Sequence, residues 1–340
     1  MKGWMQGNGP HNDIILSSRI RLARNIADIP FPSGLDAEKA KTVIDLVRDS
    51  LSKAESPLKF KDYIMKELPS IERQFLVERH LISPGLSKNN TSGAALISGD
   101  GVVSIMVNEE DHIRIQAILS GLQIKKAWEM ASNIDDVLEQ KLEYAYNENW
   151  GYLTSCPTNV GTGMRASVMV HLPALNITGN MSKILQAVAH IGLTIRGLYG
   201  EGTEIVGNIF QISNQITLGR AEEEIVENLT AVTRQIIDKE KEARKVLLGS
   251  NRIQIEDKIW RSWGVMKNAR IMNSQECMKL LSDIRLGADM GIIENIPAQL
   301  LNEIMIETQT ANIQKHSGKE LSPGERDIIR AEMVRSKLND

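Results

Sequence analysis

Cysteine is scarce in this chain: two residues in 340, Cys156 and Cys277, far apart in sequence. So few exclude a disulfide framework and a cysteine-rich zinc site, and they suit a reducing compartment. No apolar run approaches the roughly 18 residues that a membrane span requires. The first residues, Met-Lys-Gly-Trp-Met-Gln, lack the apolar stretch of a secretion signal. A cytoplasmic protein with no membrane association is the expectation. Positive charge is not in excess either: 40 lysines and arginines against 43 acids leave a formal charge of -3. That balance argues against coating nucleic acid and leaves room for local anion sites. There is no internal repeat, no low-complexity tract and no Walker phosphate loop, since Gly161-Thr-Gly163 is not followed by Gly-Lys-Ser or Gly-Lys-Thr.

What is present is enough apolar material, 42% of residues, for a sizeable core, in a chain longer than one core usually spans. Residues 14–22 alternate as a strand, with Arg19 and Arg21 on one face and Ile20 and Leu22 on the other. Residues 37–53 carry a helical stripe of Val43, Ile44, Val47 and Leu51. The run from Pro69 to Ser83 suits a helix that stops ahead of Pro84, with His80 near its end. Residues 94–98 and 102–107 flank Gly-Asp-Gly as a hairpin. A long helix is expected over 124–146, a core strand over 167–172, a helix over 181–191, a short strand over 193–195, another over 210–218, and a charged helix over 221–248. Strand signals then cease, and stripes such as Met278, Leu280, Leu281, Ile284 and Leu286 read as helices. The expectation is therefore α+β: an antiparallel sheet flanked by helices over residues 1–249, followed by a small all-helical domain over 250–340. Leu280, Leu281, Ile292 and Ile293 lie in apolar stretches that a small domain could leave exposed, which suggests a homodimer interface.

The chemistry-bearing residues fall in a few blocks. Asn108-Glu-Glu-Asp-His-Ile-Arg114 sits at the end of an apolar strand; consecutive acids point in different directions, so one functional carboxylate and one ion-paired arginine is the functional reading, and a solvated turn the bland one. The glycine-broken loop from Cys156 to Gly163, followed by Arg165, is either a phosphate cradle or an ordinary connection between a helix and a strand. Arg196 opens a second glycine-rich loop that holds Glu201 and Glu204. Arg326 and Arg330 stand four apart on one helix face, beside acids that would serve equally as a solvated, ion-paired surface. Several arginines converging on one place could clamp a triphosphate, with carboxylates facing a cationic second substrate.

Ser17-Ser-Arg-Ile-Arg21, the Asn108–Arg114 block, Cys156-Pro-Thr-Asn-Val-Gly-Thr-Gly-Met-Arg165 and Gly200-Glu-Gly-Thr-Glu204 resemble, in the same order, the sequence blocks of the phosphagen (guanidino) kinases. Over its whole length the chain resembles the bacterial protein-arginine kinases of that family, which lack the family's N-terminal helical domain and add a C-terminal helical one. The resemblance implies phosphoryl transfer from ATP with Mg2+ to guanidinium nitrogens of proteins with accessible arginines. It implies ATP-binding roles for Ser17, Ser18, Arg19, Ile20, Arg21, His80, Arg114, Arg165, Ala166, Ser167, Val168, Met169, Arg196, Gly197, Leu198, Tyr199, Gly200 and Glu201. Glu110 and Glu204 would hold the acceptor guanidinium, with Cys156 close by; no protein-bound metal is implied. Tyr199 stands where small-molecule guanidino kinases usually carry a phosphate-binding arginine. Arg326, Asp327, Ile328, Ile329, Arg330 and Ala331 match a segment that forms an allosteric phosphoarginine pocket. The resemblance also implies a zinc-binding activator and a Clp-type unfoldase and protease as partners, in stress-response quality control. A kinase for free arginine and a silent phosphoarginine-binding scaffold are the alternatives.

Overall fold

The computed structural model describes residues 3–52, 58–89, 91–197 and 206–339. Ten strands and twelve α-helices follow one another among them. The strands are β1 (Ile15–Arg24), β2 (Phe60–Ile64), β3 (Ala94–Ser98), β4 (Val103–Val107), β5 (Ile113–Ser120), β6 (Tyr146–Asn147), β7 (Gly151–Tyr152), β8 (Met164–His171), β9 (Leu193–Gly197) and β10 (Ile209–Asn214). The helices before residue 252 are α1 (Ala37–Ser52), α2 (Ser70–Glu78), α3 (Pro84–Lys88), α4 (Ile124–Glu139), α5 (Pro173–Ile177), α6 (Met181–His190) and α7 (Glu222–Ser250). After it come α8 (Arg252–Asn268), α9 (Ser274–Asp289), α10 (Ala298–Glu307), α11 (Thr310–Ser317) and α12 (Pro323–Asn339).

Eight strands form one antiparallel sheet in the order β2-β3-β4-β5-β1-β8-β10-β9, and β6 and β7 form a separate hairpin. The central strand β1 does what its alternation predicts: Ile20 and Leu22 are fully buried, in one apolar cluster with Ala127, Ala131 and Ile134 of α4. Arg19 and Arg21 therefore face the other way. On that other face a second cluster, including Leu76 of α2 and Leu86 of α3, covers Ala95, Ile97 and Met106 of β3 and β4. The sheet is thus padded on both sides at one end, while the middle of the second face carries arginines.

Several expectations shift. The helix over 124–146 ends at Glu139, and the chain then turns into the β6–β7 hairpin. The helix before Pro84 ends at Glu78; His80 takes a left-handed conformation, φ 60°, and α3 starts at Pro84 itself. Strands β2 and β5 had no counterpart in the periodicity. The chain bends at Asn251, between α7 and α8, where the boundary was expected. The apolar cluster nevertheless runs across that bend, joining Ile259, Met266, Leu281 and Leu301 to the sheet. Leu281 and Ile293 are buried and Leu280 and Ile292 pack against them, so these four are core and not a dimerisation patch. The exposed large apolar residues described in this region are instead Ile253, Trp260, Val265, Ile271 and Ile328.

Candidate active site

Strand β1 is the spine of the site. Its register sets Arg21 directly opposite Arg165 on β8, and Ala23 opposite Arg114 on β5. Directly opposed like charges repel. The Arg21 guanidinium accordingly has a pKa well below its usual value, first through burial and then through Arg19, Arg114 and Arg165. Arg165 is lowered by burial, then by Arg196 and Arg114. The Nε atoms of Arg21 and Arg165 are buried without a hydrogen-bond partner. Five arginines on four strands, two of them with a buried Nε donor unspent, are a donor set that fits a polyphosphate.

Three of the sequence blocks meet in one cavity of about 240 Å³, lined by Arg21, Ala23, Glu110, Arg114, Cys156, Thr158, Asn159, Gly163 and Arg165. A smaller recess beside it is lined by Ser17, Arg19, His80, Ile118, Ser167, Met169 and Gln211. There Arg19 donates to Gln211 Oε1 (2.5 Å) and approaches Ser167 Oγ (3.5 Å). Burial and then the charge of Arg19 push the His80 imidazole down to about 3, so it is neutral at working pH.

Alternation divides the expected nucleotide residues. Ser18 donates to the Gly121 carbonyl (2.7 Å) and accepts from the Gln123 amide (2.9 Å). Ser18, Ile20, Ala166 and Val168 are all buried on the α4 side, so their side chains are turned away from the cavity and only their backbone groups are left to meet a nucleotide. Arg196 and Gly197 end β9 in exposed positions. Leu198, Tyr199, Gly200, Glu201 and Glu204 lie outside the described residues.

The acidic block splits by direction. Asn108 adopts φ 55° after β4, which breaks the strand and fans the next side chains apart. Glu109 accepts from the Ser83 hydroxyl (2.8 Å) and pairs with Arg114. Glu110 pairs with Arg114 at 2.7 Å and faces the cavity. Asp111 is fully buried and accepts from Asn25 Nδ2 (2.8 Å) and the Ser155 amide (2.7 Å). His112 Nδ1 accepts from the Ile26 amide (3.0 Å), which leaves Nε2 to donate to the Pro30 carbonyl (2.8 Å). One carboxylate faces the cavity, and the other two hold the frame.

The Cys156–Gly163 loop is held from three sides. Asp111 takes its start through Ser155; Thr217 Oγ1 lies within hydrogen-bond distance of the Thr158 (2.9 Å) and Val160 (2.7 Å) carbonyls; Arg24 donates to the Thr162 carbonyl (2.9 Å). Gly161, at φ 110°, passes so close to its neighbours that a Cβ there would stand 2.6 Å from the Thr217 oxygen. Gly161→Ala is expected to destabilise the protein by about 2–3 kcal/mol through that strain, measured by urea unfolding; an unchanged midpoint would refute this. Sequence reasoning missed Arg24, Asn25, Gln211 and Ser213, whose hydroxyl accepts from Arg165 (3.1 Å). Gln211 and Ser213 could have been found by the alternation that exposes Arg19 and Arg21.

At the other end of the chain, residues 326–331 open α12. Arg330 is buried and committed: it donates to the Thr308 and Met272 carbonyls (2.9 Å each) and to Asp327 Oδ1 (2.5 Å). Ala331 is buried too, Ile328 is exposed, and Arg326 is half-buried.

Two family models match the chain. The C-terminal catalytic domain of ATP:guanido phosphotransferases covers residues 42–243, and the C-terminal domain of protein-arginine kinase McsB covers residues 252–340. The protein-arginine kinase of Halothermothrix orenii is 50% identical over 99% of this chain and 96% of its own length. That of Bacillus subtilis is 49% identical over 100% and 94%. Among solved structures, lombricine kinase aligns with a TM-score of 0.59 at 26% identity, covering 67% of this chain and 66% of that one. The duplicated taurocyamine kinase of Schistosoma mansoni shares the fold, with a TM-score of 0.64 at 24% identity over 75% and 37%.

Proposed function

This chain belongs to the ATP:guanido phosphotransferase family, and from that premise we propose that it phosphorylates arginine side chains of proteins, using ATP. The observation that carries the reading is the cavity in which Arg21, Arg114 and Arg165 stand beside Glu110 and Cys156. Phosphoryl transfer asks a protein chiefly for positioning and for charge stabilisation on the equatorial oxygens. Arg21, Arg114 and Arg165, with Arg19 and Arg196 at the edges, hold the phosphates. Ser17, His80, Ser167, Met169 and Gln211 form the adjoining recess for the rest of the nucleotide. Mg2+, carried in on the nucleotide, would neutralise phosphate charge.

Glu110, with Glu204 from the glycine-rich loop, orients the acceptor guanidinium, and Cys156 borders it. A guanidinium has a pKa above about 12 against about 4.3 for a glutamate, so full deprotonation before attack would cost roughly 11 kcal/mol. The carboxylate therefore polarises the acceptor, and its proton leaves as transfer proceeds. Glu110 must exchange its present partner Arg114 for the acceptor, which turns Arg114 toward the phosphates. Glu110→Gln is expected to lower turnover about a hundredfold when acid-labile phosphate on an unfolded test protein is counted. Near-normal turnover would remove Glu110 from the role. Phosphorylation of free arginine in preference to protein would favour the small-molecule reading instead.

The reading extends to the C-terminal helices as a second domain over 250–340 that takes phosphoarginine at Arg326 and Asp327, with Arg330 fixing α12 beneath them. Delivery to a Clp-type unfoldase, a zinc-binding activator, a cytoplasmic location and a homodimer belong to the same proposal. Light scattering of the purified protein tests the dimer.

A further inference from the structure

Around the mouth of the acceptor cavity the protein exposes large apolar side chains. Tyr146 and Trp150, on the β6–β7 hairpin, are 57% and 55% exposed; Ile216 and Leu218, in the segment after β10, are 48% and 44% exposed. These two pairs are neighbours through three stacked backbones. A Cβ on Gly151 would stand 2.5 Å from the Gly161 oxygen, and one on Gly161 would stand 2.8 Å from Leu218 Cα. Tyr152 N also donates to the Gly161 carbonyl at 2.8 Å. Gly161 belongs to the loop whose other residues, Cys156, Thr158, Asn159 and Gly163, line the cavity. The apolar rim and the cavity thus share one wall.

Tyr146 rests edge-on against Tyr152, with ring centroids 5.3 Å apart, and its outer surface is open to solvent. Near the rim residues in sequence stand the exposed carboxylates Glu143 and Glu148 and the exposed cations Lys141 and Arg220, so apolar contact and not charge distinguishes this rim. We infer that this rim is a docking surface for an extended, unfolded polypeptide that carries apolar residues within about three positions of the arginine to be phosphorylated.

The inference rests on the protein-substrate reading given above. An arginine reaching into the cavity leaves its own backbone at the mouth, and an extended chain advances about 3.3–3.6 Å per residue. Two or three flanking residues on each side therefore cross the rim. In a folded substrate those apolar neighbours would be buried, so the surface selects segments that have lost their fold. Binding energy gained there is the same in ground and transition states and lowers KM without raising kcat.

The test uses the full chain and two short single-arginine peptides, one with leucine and phenylalanine beside the arginine and one with glycine and serine. Wild-type protein is expected to show a KM about tenfold lower for the apolar peptide, at equal kcat. The double variant Trp150→Ser, Leu218→Ser is expected to erase that difference while keeping kcat, the KM for ATP and the KM for the glycine peptide. A preference that survives in the double variant, or is missing from the wild type, overturns the inference. So does a change confined to oligomeric state, which would make the rim a contact between copies of this chain. Failure of the wild type to phosphorylate either peptide, with free arginine accepted, would instead strike the protein-substrate reading itself.

Discussion

Arg165→Ala is expected to lower the turnover of phosphoarginine formation by about a thousandfold at saturating ATP. Arg165 sits opposite Arg21 in the sheet register, within the electrostatic reach of Arg114 and Arg196, and is held by Ser213 at 3.1 Å. A charge fixed there before substrate arrives needs no reorganisation when negative charge shifts among the phosphate oxygens. The same variant should not weaken the empty protein. Removing one member of a repelling cluster relieves Arg21, so the unfolding midpoint should stay or rise, as is common where activity is maintained against stability. Arg165→Lys should restore only part of the rate, since an ammonium cannot bridge two oxygens in one plane. Turnover near the wild-type level in Arg165→Ala, or a loss of rate matched by a loss of stability, would show that this arginine is structural.

How far the sequence foretold this site depends on what each residue must do. β1 was legible because one of its faces is core and the other is chemistry, so Ile20 and Leu22 alternate cleanly with Arg19 and Arg21. β5 was not, because it is buried on both faces: Ile115, Gln116, Ala117 and Ile118 are all inside, and no period of two survives. The helix predicted to reach residue 146 overran because Lys141, Leu142 and Glu143 are good helix formers. What ends it is remote, namely the backbone pairing of Asn25 and Ala27 with Ala145 and Glu143. The arginine and glutamate blocks stood out by charge, and residues from three blocks line one cavity. Charge says nothing of Ser18, Ile20, Ala166 and Val168, whose side chains strand geometry turns to the opposite face from their neighbours. Asn25, Asp111 and Thr217 hold the loop through backbone groups, and nothing in a residue's identity announces which distant amide or carbonyl it will meet.

Arg24→Met is expected to destabilise the protein by about 3–5 kcal/mol in denaturant unfolding. Arg24 is 1% exposed, yet it reaches Asp135 through Nε (3.0 Å) and Nη2 (2.6 Å). It stacks over Tyr152 at 3.6 Å and donates to the Ala23 and Thr162 carbonyls. Burial opposes its charge, but Asp135, Tyr152 and Glu222 outweigh it and leave its pKa raised; burial also raises Asp135, more than Arg24 can lower it. The two shifts differ in what they say of the pair: the cation is held more firmly charged than a free arginine, whereas the carboxylate is protonated more readily than a free aspartate. Such a pair contributes little net stability, while a partner left alone in the core is costly. Adding Asp135→Leu to Arg24→Met should therefore recover a large part of the lost stability. It should not recover turnover, because the Thr162 carbonyl, one step from Gly163 and three from Arg165, has still lost the guanidinium that holds it. Stability and rate that return together in the double variant would mean that Arg24 serves the core alone. Stability restored with turnover still depressed would assign it to the loop that stands between the phosphates and the acceptor.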